Sequence, residues 1–288
     1  MKVIETGSYG GPDVLALADR EEPVPGPGEV VVRVRAATVN PVDLATRAGA
    51  FAAVLSPPFV LGWDLAGEVD GTRVAGMVPW FATDRGAYAE AVAVDREWVA
   101  PVPDGVAAVL AATVPLAGLT ARQALATLPE GGSLLVTGAS GAVGGFAVQL
   151  AAQAGAEVYA VASAGDEEWV AGLGAAHVLG RDALSGRLPV VDAVLDAAPA
   201  GPELISAVRD GGSFVAVTDP TTPVAERGVR VAKVSVTPDA AALGELLDAV
   251  AAGRLRTRVA ATFPLADAAA AHRRLAAGGV RGKLVLVP

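Results

Sequence analysis

The chain has 288 residues, of which 52% are hydrophobic and 5% aromatic, and its 22 Lys and Arg face 31 Asp and Glu for a formal net charge of -9. This length holds one large or two medium domains with real cores, and the composition is that of a globular protein. Without a basic excess or cluster, binding to a phosphate backbone is excluded and no nucleic-acid partner is expected. With no cysteine there is no disulfide, thiolate metal ligand or thiol nucleophile, which fits a cytoplasmic setting.

The N-terminal MKVIETGSYGG lacks the apolar core and cleavage site of a signal peptide, so no export is expected. EVVVRVRAATV alternates Val30, Val32 and Val34 with Arg33 and Arg35, the period of a half-buried strand. Further short strands are predicted in WDLAGEV, RVAGMVPW and AYAEAVAV. From about Leu116 the pattern changes to apolar strands alternating with Ala-rich helices. The strands are SLLVTG, EVYAVAS, AHVLG, VDAVLDAA and SFVAVTD, and helices are predicted over 142–154, 166–173 and 201–209. Such alternation demands a parallel sheet covered on both faces. The longest charge-free stretch, 131–156, contains Gly131, Gly132, Gly138, Gly141, Gly144 and Gly145. It reads as strand, turn and buried helix, and no membrane partner is expected. A helix follows in DAAALGELLDAVAAG, and the tail carries one more helix and a final strand.

The most informative stretch is SLLVTGASGAVGGFAVQLAAQAGAEVYAVAS. An apolar strand runs into Gly138, Gly141 and Gly144, and the helix that follows places Val143, Phe146, Ala147 and Leu150 on one face. Close backbone approach needs residues without side chains, and a helix N-terminus offers free amides and a positive dipole end to a pyrophosphate. Strand, spacing, helix and next strand agree on a dinucleotide site formed by Gly138, Ala139, Ser140, Gly141, Ala142, Val143 and Gly144. A rival reading uses the same residues: GASGA approaches the hydrolase turn GxSxG, and Ser140, Asp196 and His272 follow the order of an α/β-hydrolase triad. Against it, the fifth position is Ala142, and His272 beside two arginines reads as an exposed helix residue.

The segments GGPDVLAL, PGPGEVVVRVRAATVNPVDLATRAG, GWDLAGEV, GAYAEAVAV, PLAGLTARQAL, LLVTGASGAVGGFAVQLA and AHRRLAAGGVRGKLVL cover nearly the whole chain. In content and order they resemble the zinc-independent quinone oxidoreductase group of the medium-chain dehydrogenase/reductase superfamily. The resemblance implies an α/β fold: a Rossmann-type doubly wound parallel sheet, residues 116–257, inserted in a β-rich GroES-like catalytic domain formed by 1–115 and 258–288. It also implies a substrate site in the cleft. In zinc members, a Cys stands at the position of Asn40, and Gly-His-Glu at Gly62, Trp63 and Asp64. Asn40 supplies no thiolate and Trp63 only an indole donor, so no metal is expected. Trp63 then serves as a cleft wall and Asp64 as a hydrogen-bonded scaffold residue.

Without zinc, hydrogen-bond donors must stabilise the oxygen on which charge collects during hydride transfer. By resemblance Asn40 borders the nicotinamide; it is either that donor or an ordinary Asn-Pro turn. Thr120 resembles the threonine that bonds the carboxamide, or is a helix cap. Tyr9 is a proton donor or packing, and Asp43 is catalytic or, as the favoured reading, a cap for the helix at VDLATRAG. Departures from the group are the tight Asp70-Gly71 hairpin and Ala45, which replaces a Tyr. At the cofactor's 2′ end, EVYAVAS closes on Ser163 in place of the acid that selects NAD, and Arg181 follows AHVLG where related reductases address the phosphate. NADPH is therefore expected, with NADH possible. The expected activity is zinc-independent reduction of a quinone or an α,β-unsaturated carbonyl. An enoyl reductase of acyl thioesters and a non-catalytic NADPH-binding protein are the alternatives. By resemblance VRVAKVSV pairs with its twin in a homodimer.

Overall fold

The structure is a computed structural model that describes residues 1–80, 85–218 and 222–288. The last residue of SFVAVTD, Asp219, lies outside the described residues. The chain forms two compact units, Met1–Leu116 with Thr237–Pro288, and Ala117–Val236.

The first unit opens with β1 (Lys2–Thr6) and β2 (Leu15–Asp19), then β3 (Glu29–Val39), whose bounds are those of the predicted strand. Val30, Val32 and Val34 are buried, while Arg33 and Arg35 face solvent and pair with Glu22 and Glu68. From Ala36 to Val39 the alternation stops, because both faces of the strand are covered there. Helix α1 (Pro41–Arg47) begins on Asn40, with Pro41 in its first turn and the Asp43 carboxylate accepting the Asn40 N–H at 2.8 Å. Next come β4 (Phe59–Val60), β5 (Asp64–Val69) and β6 (Thr72–Met77). Asp70 and Gly71 both take positive φ between β5 and β6, the primed turn that an Asp-Gly pair signals. Strands β7 (Ala91–Asp95) and β8 (Val99–Pro101) and helix α2 (Ala108–Ala111) lead to α3 (Pro115–Leu125), along which the chain passes into the second unit.

The second unit contains β9 (Ser133–Val136), α4 (Ala142–Gln153), β10 (Glu157–Ala162), α5 (Glu167–Ala171), β11 (His177–Gly180), β12 (Val191–Asp196), β13 (Val208–Ala216) and β14 (Arg230–Lys233). All neighbours are parallel and the order is β11-β10-β9-β12-β13-β14. This is the doubly wound arrangement whose order reverses beside its first strand. The helix predicted over 201–209 is instead a 3-10 turn, Pro202–Ala207, and Val208 and Arg209 already belong to β13. Six residues between Gly201 and the strand leave no room for a stable α-helix, yet Leu204 and Ile205 still reach the core around Leu135, Val194 and Phe214.

The chain then returns to the first unit with α6 (Ala240–Ala251), β15 (Val259–Pro264), α7 (Ala268–Ala276) and β16 (Lys283–Val287). Residues 237–257, assigned from the sequence to the nucleotide-binding half, fall in the first unit, where α6 packs on β8. Strand β15 escapes the sequence reading because its Ala-rich, half-exposed alternation carries little signal. The main sheet runs β15-β16-β3-β5-β6-β8 with β7 also on β3, and a smaller sheet runs β2-β1-β4.

Candidate active site

In the second unit the turn after β9 has the geometry its glycines imply. Gly138 has φ +62°, and a Cβ there would stand 2.8 Å from the Ala198 Cβ. A Cβ on Gly144 would lie 2.3 Å from the Gly138 carbonyl oxygen, so only glycine lets α4 pack against the turn. At Gly141, where α4 begins, a Cβ would meet one atom, the Gly138 oxygen at 3.2 Å, leaving the approach to the helix N-terminus clear. Thr137 Oγ1 donates to Asp196 Oδ1 at 2.5 Å and accepts the Ala198 N–H at 3.2 Å, joining the ends of β9 and β12 where the strand order reverses.

Ser163 N–H donates to Ser140 Oγ at 2.9 Å, which ties the turn to the end of β10. Ala162 pairs with Gly180, so Ser163 and Arg181 leave adjacent parallel strands side by side. Arg181 is exposed, as are Glu167 and Glu168, whereas Asp166 is buried at the start of α5. Thr120 is buried on α3.

In the first unit, buried polar residues gather at one end of the β16-β3-β5 sheet. Asp64, fully buried, accepts from Thr38 Oγ1 at 2.5 Å, Asn40 Nδ2 at 2.9 Å, Leu116 N at 2.6 Å and Lys283 Nζ at 3.1 Å. Lys283 also donates to Asn40 Oδ1. Asp64 is therefore the satisfied scaffold residue expected, but its ammonium partner is missed by the sequence reading. The signal available was a single Lys opening the apolar run KLVLV, which a strand buries only with a charge partner. Asp43 accepts the N–H groups of Asn40 at 2.8 Å and Gly62 at 3.2 Å. Burial, the largest influence on it, pushes its carboxyl up to about 7.

His272 is buried, not exposed. Its Nε2 lies 3.1 Å from the Tyr88 hydroxyl, and burial followed by the Arg47 charge lowers it to about 3, so it is neutral. The apolar face of α7 packs inward on β16 and β3, and His272 shares that face. The three groups of the hydrolase reading are thus engaged elsewhere: Ser140 with Ser163, Asp196 with Thr137, and His272 with Tyr88. Tyr9 donates its hydroxyl to the Leu55 carbonyl and packs 6.0 Å from Phe59. Trp63 is buried, edge-on to Trp80 at 6.4 Å, and Phe59 stacks on Trp80 at 5.5 Å. Gly62, at φ +112°, admits the Tyr88 ring, which a Cβ would approach to 2.6 Å.

Two domain families match this chain: the alcohol dehydrogenase GroES-like domain over residues 26–104 and the zinc-binding dehydrogenase domain over 173–286. A 2-methylene-furan-3-one reductase of Solanum lycopersicum is 32% identical, over 100% of this chain and 79% of its own. The quinone oxidoreductase of Coxiella burnetii superposes with a TM-score of 0.92 at 31% identity, covering 100% of this chain and 99% of that one. The quinone oxidoreductase of Thermus thermophilus, also solved in complex with NADPH, gives 0.83 at 33% identity over 100% of both chains. The fold is a Rossmann-type sheet inserted in a GroES-like domain, and an enzyme that uses a nicotinamide nucleotide to oxidise or reduce is the class it defines. The chain belongs to the medium-chain dehydrogenase/reductase superfamily, in its quinone oxidoreductase group.

The match to a zinc-binding family raises the question of a metal. Among the described residues no three His, Cys, Asp or Glu gather as a metal site. At Asn40, Trp63 and Asp64 the donors are an amide, an indole and a carboxylate already held by four donors, one of them an ammonium. This set does not fit zinc, which takes imidazole, thiolate or carboxylate in open tetrahedral geometry.

Proposed function

We propose that this protein is an NADPH-dependent, zinc-independent reductase of quinones or α,β-unsaturated carbonyls. The observation that carries the cofactor choice is the placement of Ser163 and Arg181 side by side at the ends of β10 and β11, beyond the glycine turn. The serine hydroxyl can donate to a 2′-phosphate, and the exposed guanidinium can clamp it through two parallel bonds. Glu167 and Glu168 point to solvent at the start of α5, where the helix dipole favours them.

In this reading the unit Ala117–Val236 is the dinucleotide-binding domain, and Met1–Leu116 with Thr237–Pro288 the catalytic domain. Gly138 to Gly144 hold the pyrophosphate and Thr120 the carboxamide. Bound there, NADPH supplies a hydride to an electrophilic carbon of the substrate. Asn40 would donate to the substrate oxygen on which charge collects, with water supplying the proton that completes the reduction. Tyr9, whose hydroxyl is spent on Leu55, serves as packing, and Trp63 as an apolar wall. The protein acts in the cytoplasm as a homodimer.

The test compares catalytic efficiencies with NADPH and NADH, for a quinone and an enone in the presence of a chelator, in wild type and Arg181→Ala. Wild type should prefer NADPH, keep full activity with the chelator, and lose most of its preference in the variant. A wild-type preference for NADH, or a preference that survives the substitution, overturns the cofactor reading.

A further inference from the structure

We propose that Lys283 is a positioning residue for hydride transfer: its buried ammonium fixes and polarises the Asn40 amide, so that one amide N–H is presented to the substrate's oxygen. This rests on the reductase reading and assigns the source of a positive charge that the donor set cannot take from zinc.

The placement follows from strand register. Leu284 of β16 pairs with Val39 of β3, which brings Lys283 alongside Asn40 where the two strands end. Thr38 and Asn40, two residues apart, share one face of the chain, and Asp64 opens β5 on the other side of β3. The Lys283 and Asp64 side chains are only 7% and 0% exposed.

The orientation of the amide is decided by its neighbours. An ammonium only donates and an ionised carboxylate only accepts, so the Asn40 atom facing Lys283 must be Oδ1 and the atom facing Asp64 must be Nδ2. One Nδ2 hydrogen is spent on Asp64 at 2.9 Å. The other has only long contacts to Thr38, at 3.3 Å to Oγ1 and 3.4 Å to the carbonyl, and the Thr38 hydroxyl gives its own proton to Asp64. Asn40 is 3% exposed, and this more weakly held hydrogen is the one the proposal assigns to a substrate oxygen.

The charge matters beyond geometry. A cation bonded to Oδ1 draws electron density through the conjugated amide and makes its N–H groups stronger donors. A buried ion pair contributes little net stability over apolar residues of equal volume, so the consequence of this one lies in orientation and field.

The experiment replaces the pair together, Asp64→Asn with Lys283→Met, so that no charge is left buried alone. It does so in wild type and in an Asn40→Ala background, with Lys283→Gln as a second variant that removes the charge and keeps a donor. Folding is followed by circular dichroism, NADPH affinity by titration, and kcat and KM with a quinone and an enone. With both charges gone the Asn40 amide is free to flip and loses its polarising cation, and kcat should fall on the order of tenfold or more, short of the loss from deleting the oxyanion donor itself. KM and NADPH affinity should stay within about twofold. Lys283→Gln should show a smaller fall in kcat. In the Asn40→Ala background, replacing the pair should cost nothing further. Wild-type kcat in a folded pair variant or in Lys283→Gln, or an equal additional loss without Asn40, overturns the proposal. A wild type that binds NADPH yet reduces neither quinones nor enones overturns the reductase reading and this proposal with it.

Discussion

Asp43 and His272 both face the Tyr88 hydroxyl, and burial drives their proton affinities in opposite directions. Between 3.8 and about 7 the folded chain keeps an Asp43 proton that the unfolded chain releases, so Asp43 lowers stability as pH rises through that window. Between 6.5 and about 3 the unfolded chain takes up a His272 proton that the folded chain refuses, so His272 lowers stability as pH falls. The two contributions oppose each other over most of the acid range. In Asp43→Asn only the second remains, and the difference in unfolding free energy, variant minus wild type, should rise from about pH 4 to pH 7. Urea unfolding at a series of pH values measures it, and a difference that does not change with pH contradicts the Asp43 assignment.

The β9 turn and α4 show how one element asks different things of similar residues. Gly144 serves packing, since its Cβ would fall 2.3 Å from a backbone oxygen that cannot swing away. Gly141 is the glycine proposed to serve the ligand, since a Cβ there would meet a single atom at 3.2 Å and its backbone is extended. Gly144→Ala should therefore destabilise the protein by about 1–3 kcal/mol, the range of an overpacked core. Gly141→Val should leave the melting temperature nearly unchanged but weaken NADPH binding by about tenfold or more, because the branch occupies the pyrophosphate's approach. Thermal melts and NADPH titrations of the two variants separate these roles. Equal effects on binding and melting in both would remove the distinction.

At the scale of the molecule, the second unit's sheet ends on β14, a four-residue strand paired only with β13 among the described residues. The last strand of a sheet can accept another strand, and the proposed homodimer pairs β14 with its twin about a two-fold axis. Light scattering should return twice the 28.6 kDa chain mass at micromolar concentration. A monomer there contradicts the pairing. The helical run Ala108–Leu125 is long and apolar enough to cross a membrane, but most of it is buried in the fold.

Local pattern carried much of the architecture: the alternation of Val30 to Arg35, the Asp-Gly turn and the glycine spacing after β9 each depend on residues a few positions apart, whose sterics act before any tertiary contact forms. From these, β3, the parallel sheet and the glycine turn are legible before any distant contact is known. Where a chain partner lies far away, pattern failed. Nothing near His272 signals that Tyr88, 184 positions earlier, will hold it in the interior, and nothing near Asn40 signals an ammonium 243 positions later. Half-exposed β15 goes unread and the six-residue turn before β13 is misread as a helix for the related reason that their state follows from neighbouring strands and not from their own composition. The tertiary structure alone decided which polar groups are buried together, because a charge stays in an interior only when strands distant in the chain bring it a partner.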